Sequence, residues 1–242
     1  MRRQARRLRP AGGGIVLSRA CAACGTPARP PFQAPPPELA PDLDLRPGEP
    51  TRSTLPRWLQ TCRTCGVSAP DLARLPPHAA ATAATPAYQA LRGPAPQNPF
   101  LRHAHLLEAA GETDEAAATV LQAAWILDDA GQDAAPLRRR AAALWQHGAT
   151  MQDGLRIVDV LRRAGDMPAA AAQVARLLVR TPLAETDQTI LAYQQALIQA
   201  QDTARHLMSS ALRPPAYRPH FTHGRSAAQP RPRTLWQRLA GR

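Results

Sequence analysis

Cys21-Ala22-Ala23-Cys24-Gly25 and Cys62-Arg63-Thr64-Cys65-Gly66 hold all four cysteines of the chain. A C-x-x-C loop lets two thiolates converge on one metal ion, and the glycine that follows permits the left-handed turn that aims backbone N–H groups at the sulfurs. Two such knuckles supply four sulfur ligands, Cys21, Cys24, Cys62 and Cys65, enough to close a tetrahedral zinc site and leave no position for a substrate. The two pairs stand further apart than zinc-site spacing usually allows, so an insertion between the knuckles is expected. One structural zinc per chain is the leading reading. A redox pair lacks the βαβ setting it needs, and disulfides need an oxidising compartment for which no secretory signal is visible. An iron–sulfur site and an unoccupied remnant are the remaining alternatives.

Outward from the knuckles, proline dominates the insertion. Six prolines between Pro27 and Pro37 exclude regular structure there. From Leu43 the chain reads as extended, with Leu43, Leu45, Leu55 and Leu59 around a turn at Pro47-Gly48. Arg57 to Thr61 reads as a short hairpin strand, with Trp58 covering a small core. Ser68 is expected to cap a short helix through Pro70 to Leu75. This defines a zinc-ribbon-like β module over residues 13–75, followed by a Pro/Ala-rich linker over 76–97 in which Thr85-Pro86 starts one short helix.

From Asn98 the pattern is helical, and residues 98–212 read as a tetratricopeptide-like array of about six helices. Asn98-Pro99 opens the first, which stops at Gly111; the second runs from Thr113 to Gly131 with a wide apolar surface. Asp133 and Asp166 are caps for the third and fifth, and the fourth ends at Gly165. The sixth reads as the longest, because Ile190, Tyr193, Leu197, Ala200, Ala204, Leu207 and Ala211 form one continuous seam. Leu107 to Gly111 and Leu161 to Gly165 each precede an Ala-rich helix, a weak repeat of tetratricopeptide type. The helical region buries its own stripes and contains no cysteine, so it is expected to be a domain of its own.

Charge separates the ends from the body. The chain carries +12 and no lysine, with five arginines in residues 1–10 and seven in 213–242, and no acid in either stretch. Between them arginines and acids balance. The absence of lysine, with abundant Ala and Pro, suggests a GC-rich genome and a bacterial source. Residues 1–12 read as a disordered basic lead, as expected of an over-extended translation start. Residues 213–242 read as a disordered Pro/Arg-rich tail whose Leu235 to Leu239 can form one amphipathic turn on binding. No apolar run is long enough to cross a membrane, and Gly14 to Leu17 is too short for a signal h-region, so the cytoplasm is the expected location.

Trp58 through Leu72, Ala123 to Gly131, Leu155 to Gly165 and Ala200 to His206 together resemble a group of uncharacterised bacterial proteins, a domain of unknown function. These pair a zinc-ribbon-like module with tetratricopeptide-like helices. The resemblance spans about residues 18–210, implies architecture and is silent on function. It departs at Ala22 and Arg63, where such knuckles often carry proline.

Other candidate chemistry is weak. His103 and His105 face different sides of a helix and cannot chelate one ion. Asp202 and His206, four apart, suit a helix-surface ion pair. Asp128 and Asp129 diverge around a helix end, and Arg138-Arg139-Arg140 reads as a solvated face. No phosphate loop, nucleophile elbow or dinucleotide fingerprint is present. No catalytic residues are therefore assigned. The expected function is a non-catalytic scaffold that binds an unidentified protein or peptide on its helices. The alternative is nucleic-acid binding through the ribbon and the basic tails, weak and salt-sensitive because the body is neutral. A zinc or redox enzyme is opposed by the closed ligand set.

Overall fold

A computed structural model describes residues 19–93, 98–146, 150–179 and 182–212. The basic lead of residues 1–12, the last four residues of the linker, and the tail over 213–242 with its amphipathic turn lie outside the described residues. The described chain is mostly helical with one small antiparallel sheet. Strands β1 (Gln60–Thr61) and β2 (Ser68–Ala69) flank the second knuckle, pairing Gln60 with Ala69 and Thr61 with Ser68. Helices α1 (Ala79–Ala83) and α2 (Pro86–Ala90) follow. The array comprises α3 (Pro99–Ala109), α4 (Thr113–Asp129), α5 (Ala135–Trp145), α6 (Met151–Arg163), α7 (Met167–Leu178) and α8 (Glu185–Gln199), with α9 (Met208–Ala211) at the end.

The helix starts follow the expected chemistry. Asn98 accepts from the Phe100 N–H, Thr150 from Asp153 N–H and Asp166 from Ala169 N–H, and each satisfies a donor the first turn leaves unpaired. The helix stops are more repetitive than the sequence reading recognised. Leu107-Glu-Ala-Ala-Gly111, Leu127-Asp-Asp-Ala-Gly131, Leu161-Arg-Arg-Ala-Gly165 and Leu197-Ile-Gln-Ala-Gln201 all turn left-handed at the fifth residue. In each, the residue beyond donates its N–H to the leucine carbonyl at 2.9–3.0 Å, the Schellman arrangement. Four helices thus end in one way, and the fourth does so with glutamine in place of glycine.

That fourth stop overturns the long sixth helix. The seam from Ile190 to Ala211 is broken at Gln201, whose φ is 54°, and Asp202 caps the Ala204 N–H at 2.6 Å in the turn that follows. Ala204 and Leu207 belong to a connecting loop, and α4 is the longest helix. The short helix expected after Ser68 is also absent. Ser68 is spent on the sheet, where its hydroxyl meets Thr61 at 2.9 Å, and Pro70 to Leu75 form turns. Within the insertion, Arg52–Arg57 is a 3-10 helix where an extended chain was expected. Trp58 packs on the large helical core, its indole donating to Thr54 Oγ1 at 2.9 Å, and does not cover the small one.

The insertion between the knuckles is built into the array. Leu43 and Leu55 lie in the same core as the helix residues Leu121, Trp145, Val158 and Leu177. Residues 41–43 pair with the loop after α8: the Leu43 N–H donates to the His206 carbonyl at 3.0 Å and Met208 N–H to Pro41 at 2.8 Å. The described residues form one compact unit. A second, smaller core sits under the knuckles. It joins Cys21, Cys62 and Val67 to Ala79 and Ala83 of α1, Tyr88 of α2 and Leu106 of α3. The stretch read as a linker therefore supplies part of the core beneath the cysteines.

Candidate metal centre

Both knuckles use the same backbone bonds. Cys21 N–H donates to the Thr26 carbonyl and Gly25 N–H to Cys21; five-residue and four-residue spacings recur in Cys62 N–H to Val67 and Gly66 N–H to Cys62, all at 2.8–2.9 Å. Gly25 and Gly66 take φ values of 72° and 75°, as the two C-x-x-C-G motifs require. At Gly66 the Arg92 side chain lies in the space a Cβ would occupy, so a substitution would also move that side chain.

The fold brings all four predicted ligands together. The four sulfur atoms lie within 4.8 Å of one another, and all four cysteines are free thiols. Contacts between the knuckles are Cys21 Sγ to Cys65 Sγ at 3.8 Å and Cys24 Sγ to Cys62 Sγ at 3.5 Å. Four ligands about 2.3 Å from a central ion define a tetrahedron with edges of roughly 3.8 Å, so the cluster is sized for one such ion. Among the described residues it is the one group of three or more His, Cys, Asp or Glu placed to hold a metal.

The thiols differ in their surroundings. Hydrogen bonding with Thr26, first through its side chain and then its backbone, draws exposed Cys24 down to about 6. Burial, opposed by the Val67 backbone, pushes Cys65 up to about 12, and burial likewise raises Cys21. A bound cation offsets that burial by favouring the deprotonated thiolates it coordinates. Around the sulfurs the fold adds residues that the sequence reading missed. Thr26 Oγ1 donates to Thr64 Oγ1 at 2.8 Å and ties one knuckle to the other. Tyr88 is fully buried; its hydroxyl accepts from Ser68 N–H and donates to the Gly66 carbonyl, both at 3.3 Å. Buried Arg102 donates to the same carbonyl at 3.5 Å. No spacing rule links Tyr88 or Arg102 to the cysteines, since their approach depends on how α2 and α3 pack.

The remaining candidates have structural surroundings. His103 is buried, and burial, opposed by a hydrogen bond with the Ser68 backbone, lowers it to about 4; His105 tilts against Tyr88 with ring centres 5.9 Å apart. Asp202 meets His206 Nε2 at 2.8 Å, and Tyr193 meets its Nδ1 at 3.1 Å, on a loop instead of the helix face expected. Arg138 overturns the solvated-face reading: it is 1% exposed, while Arg139 is exposed and Arg140 pairs with Glu108. Arg138 and Arg163 both clasp Asp44 of the insertion and Asp128 at the end of α4. Asp129 pairs with Arg46 at 2.5 Å. Burial pushes the Asp44 carboxyl up, but Arg163, Arg138 and the Trp125 indole outweigh it and hold the group below its usual range.

No protein-family model, no curated protein and no solved structure matches this chain. What the structure carries of the resemblance is the cysteine cluster and the helical body.

Proposed function

We propose that the chain is a non-catalytic zinc protein in which a ribbon-like module fastens a tetratricopeptide-like helical array for use as a protein-interaction scaffold. The observation that carries this reading is the convergence of four sulfurs within 4.8 Å of one another, with two contacts between the knuckles near the edge length of a zinc tetrahedron. Zinc at this site would hold the four thiolates together and join the two knuckles across the insertion. A four-thiolate set leaves it no open position for substrate, which supports a structural role over a catalytic one. The interaction role is supported by successive helix pairs, α3 with α4, α4 with α5 and α6 with α7, with α4 burying Ala116, Ala117, Ala123 and Ala124.

Metal analysis of protein purified without added metal is expected to give about one zinc per chain. Cys62→Ser should abolish it and expose the core around Val67 and Tyr88. A metal-free protein whose knuckles remain protected from hydrogen exchange would overturn the structural role. Cross-linking in cell lysate, with no protein attached through the helices, would overturn the scaffold role.

A further inference from the structure

We propose that the cleft along the ribbon-like module docks a peptide segment that presents one apolar residue followed by acidic residues. This rests on the scaffold reading and names the chemistry of the partner.

The cleft begins as an apolar hollow of about 560 Å³ between the module and helices α3 and α4, walled by Phe32, Trp58, Leu59, Leu107 and Ala118. Phe32 and Leu59 are shared with a second hollow of about 690 Å³, which carries Arg29 and Arg57. That one shares Arg29, Gln60 and Thr61 with a third of about 370 Å³, which carries Arg63 beside Cys62. The three adjoin in series along the module, apolar at the helical end and basic toward the knuckles. No acidic residue lines the second or third.

The positive end arises from how charges pair. The module's Arg19, Arg46 and Arg52 are neutralised by Asp71, Asp129 and Asp42. Arg29, Arg57 and Arg63 are exposed and, among the described residues, form no ion pair. A body that is neutral in sum thus presents three unpaired guanidinium groups along that series. Arg57 lies 4.2 Å over the Phe32 ring, which holds a cation at the junction of the apolar and basic hollows. Glu115 on the α4 wall of the first hollow repels acid there, so acidic residues belong on the knuckle side of the anchor.

Carbon surface from Leu59, Leu107 and Ala118 accepts an aliphatic or aromatic side chain. Pro30, Pro31 and Pro56 line the second hollow and have no N–H, so recognition runs through side chains and charge instead of an added strand.

The test is fluorescence anisotropy on the zinc-loaded full chain. The probes are a labelled twelve-residue peptide with one tryptophan followed by four glutamates, its tryptophan-to-alanine version, and labelled oligothymidylate. The acidic peptide is expected to bind about tenfold tighter than its alanine version. Substituting Arg29→Ser, Arg57→Ser and Arg63→Ser together should weaken it about tenfold and flatten its salt dependence. Ala118→Trp, which fills the apolar hollow, should weaken the peptide and leave oligothymidylate unchanged. Basic residues outside the described chain are the same in every variant, so their background cancels. Zinc content and far-ultraviolet circular dichroism of each variant establish folding. Equal peptide affinity in the wild type and either variant overturns the proposal, as does oligothymidylate binding that falls with the arginines while peptide binding does not. Lysate cross-links that persist in the triple variant would sink this site and leave the scaffold reading standing.

Discussion

Asp44→Asn is the substitution with the largest expected consequence for its size. The Asp44 carboxylate is fully buried and accepts from Arg163 at 2.8 Å, the Trp125 indole at 2.9 Å, the Arg46 N–H at 3.2 Å and Arg138 at 3.3 Å. Asparagine keeps the volume and one acceptor oxygen, but removes the charge and turns an NH2 toward donors. Removing one partner of a buried ion pair costs about 3–5 kcal/mol, because the other is left uncompensated. Asp128 still faces both arginines, so the lower end applies, about 3 kcal/mol. For a chain of this size that lowers the thermal midpoint by roughly 6–12 °C. Asp128 is 23% exposed, so Asp128→Asn should cost less, about 1 kcal/mol. The double variant should show a coupling of about 1 kcal/mol or more. Urea melts of the four proteins in zinc-containing buffer measure all three quantities. A loss under about 0.5 kcal/mol for Asp44→Asn would refute the view that the insertion is locked to the array by charge.

Residues 98–212 alone lack Asp44, Leu43 and Leu55, so the fragment should melt without cooperativity; a midpoint equal to that of the full chain would contradict this. At Gly154 an added methyl meets the δ-carbons of buried Leu177, so Gly154→Ala should destabilise by about 1 kcal/mol despite better helix propensity, with partial rescue by Leu177→Val in the same melt. His103, ordinarily near 6.5, titrates at about 4 in the folded chain. Its neutral form is favoured by folding, so its contribution is complete above pH 6.5 and is lost as pH falls toward 4, by about 3 kcal/mol. His103→Gln should flatten that window, read as stability against pH at saturating zinc.

The parts of this protein legible in the linear chain are those written in local chemistry. The two C-x-x-C-G motifs named the four cysteines that cluster, because a knuckle is closed by backbone bonds within six residues. Asn98-Pro99, Asp166 and the glycines at 111, 131 and 165 marked helix ends because caps act within one turn. Gln201 escaped notice because nothing in its side chain advertises a left-handed conformation, and the apolar seam runs on past it. Tertiary structure alone decided where the insertion goes. Asp42, Asp44 and Arg46 look like exposed loop residues until Arg52, Arg138, Arg163 and Asp129 meet them, and their partners lie up to 119 residues away. The same is true of the net charge. Composition records that the body is neutral, but which arginines remain unpaired depends on which acids the fold places beside them, and among the described residues that pairing leaves Arg29, Arg57 and Arg63 exposed without an ion pair.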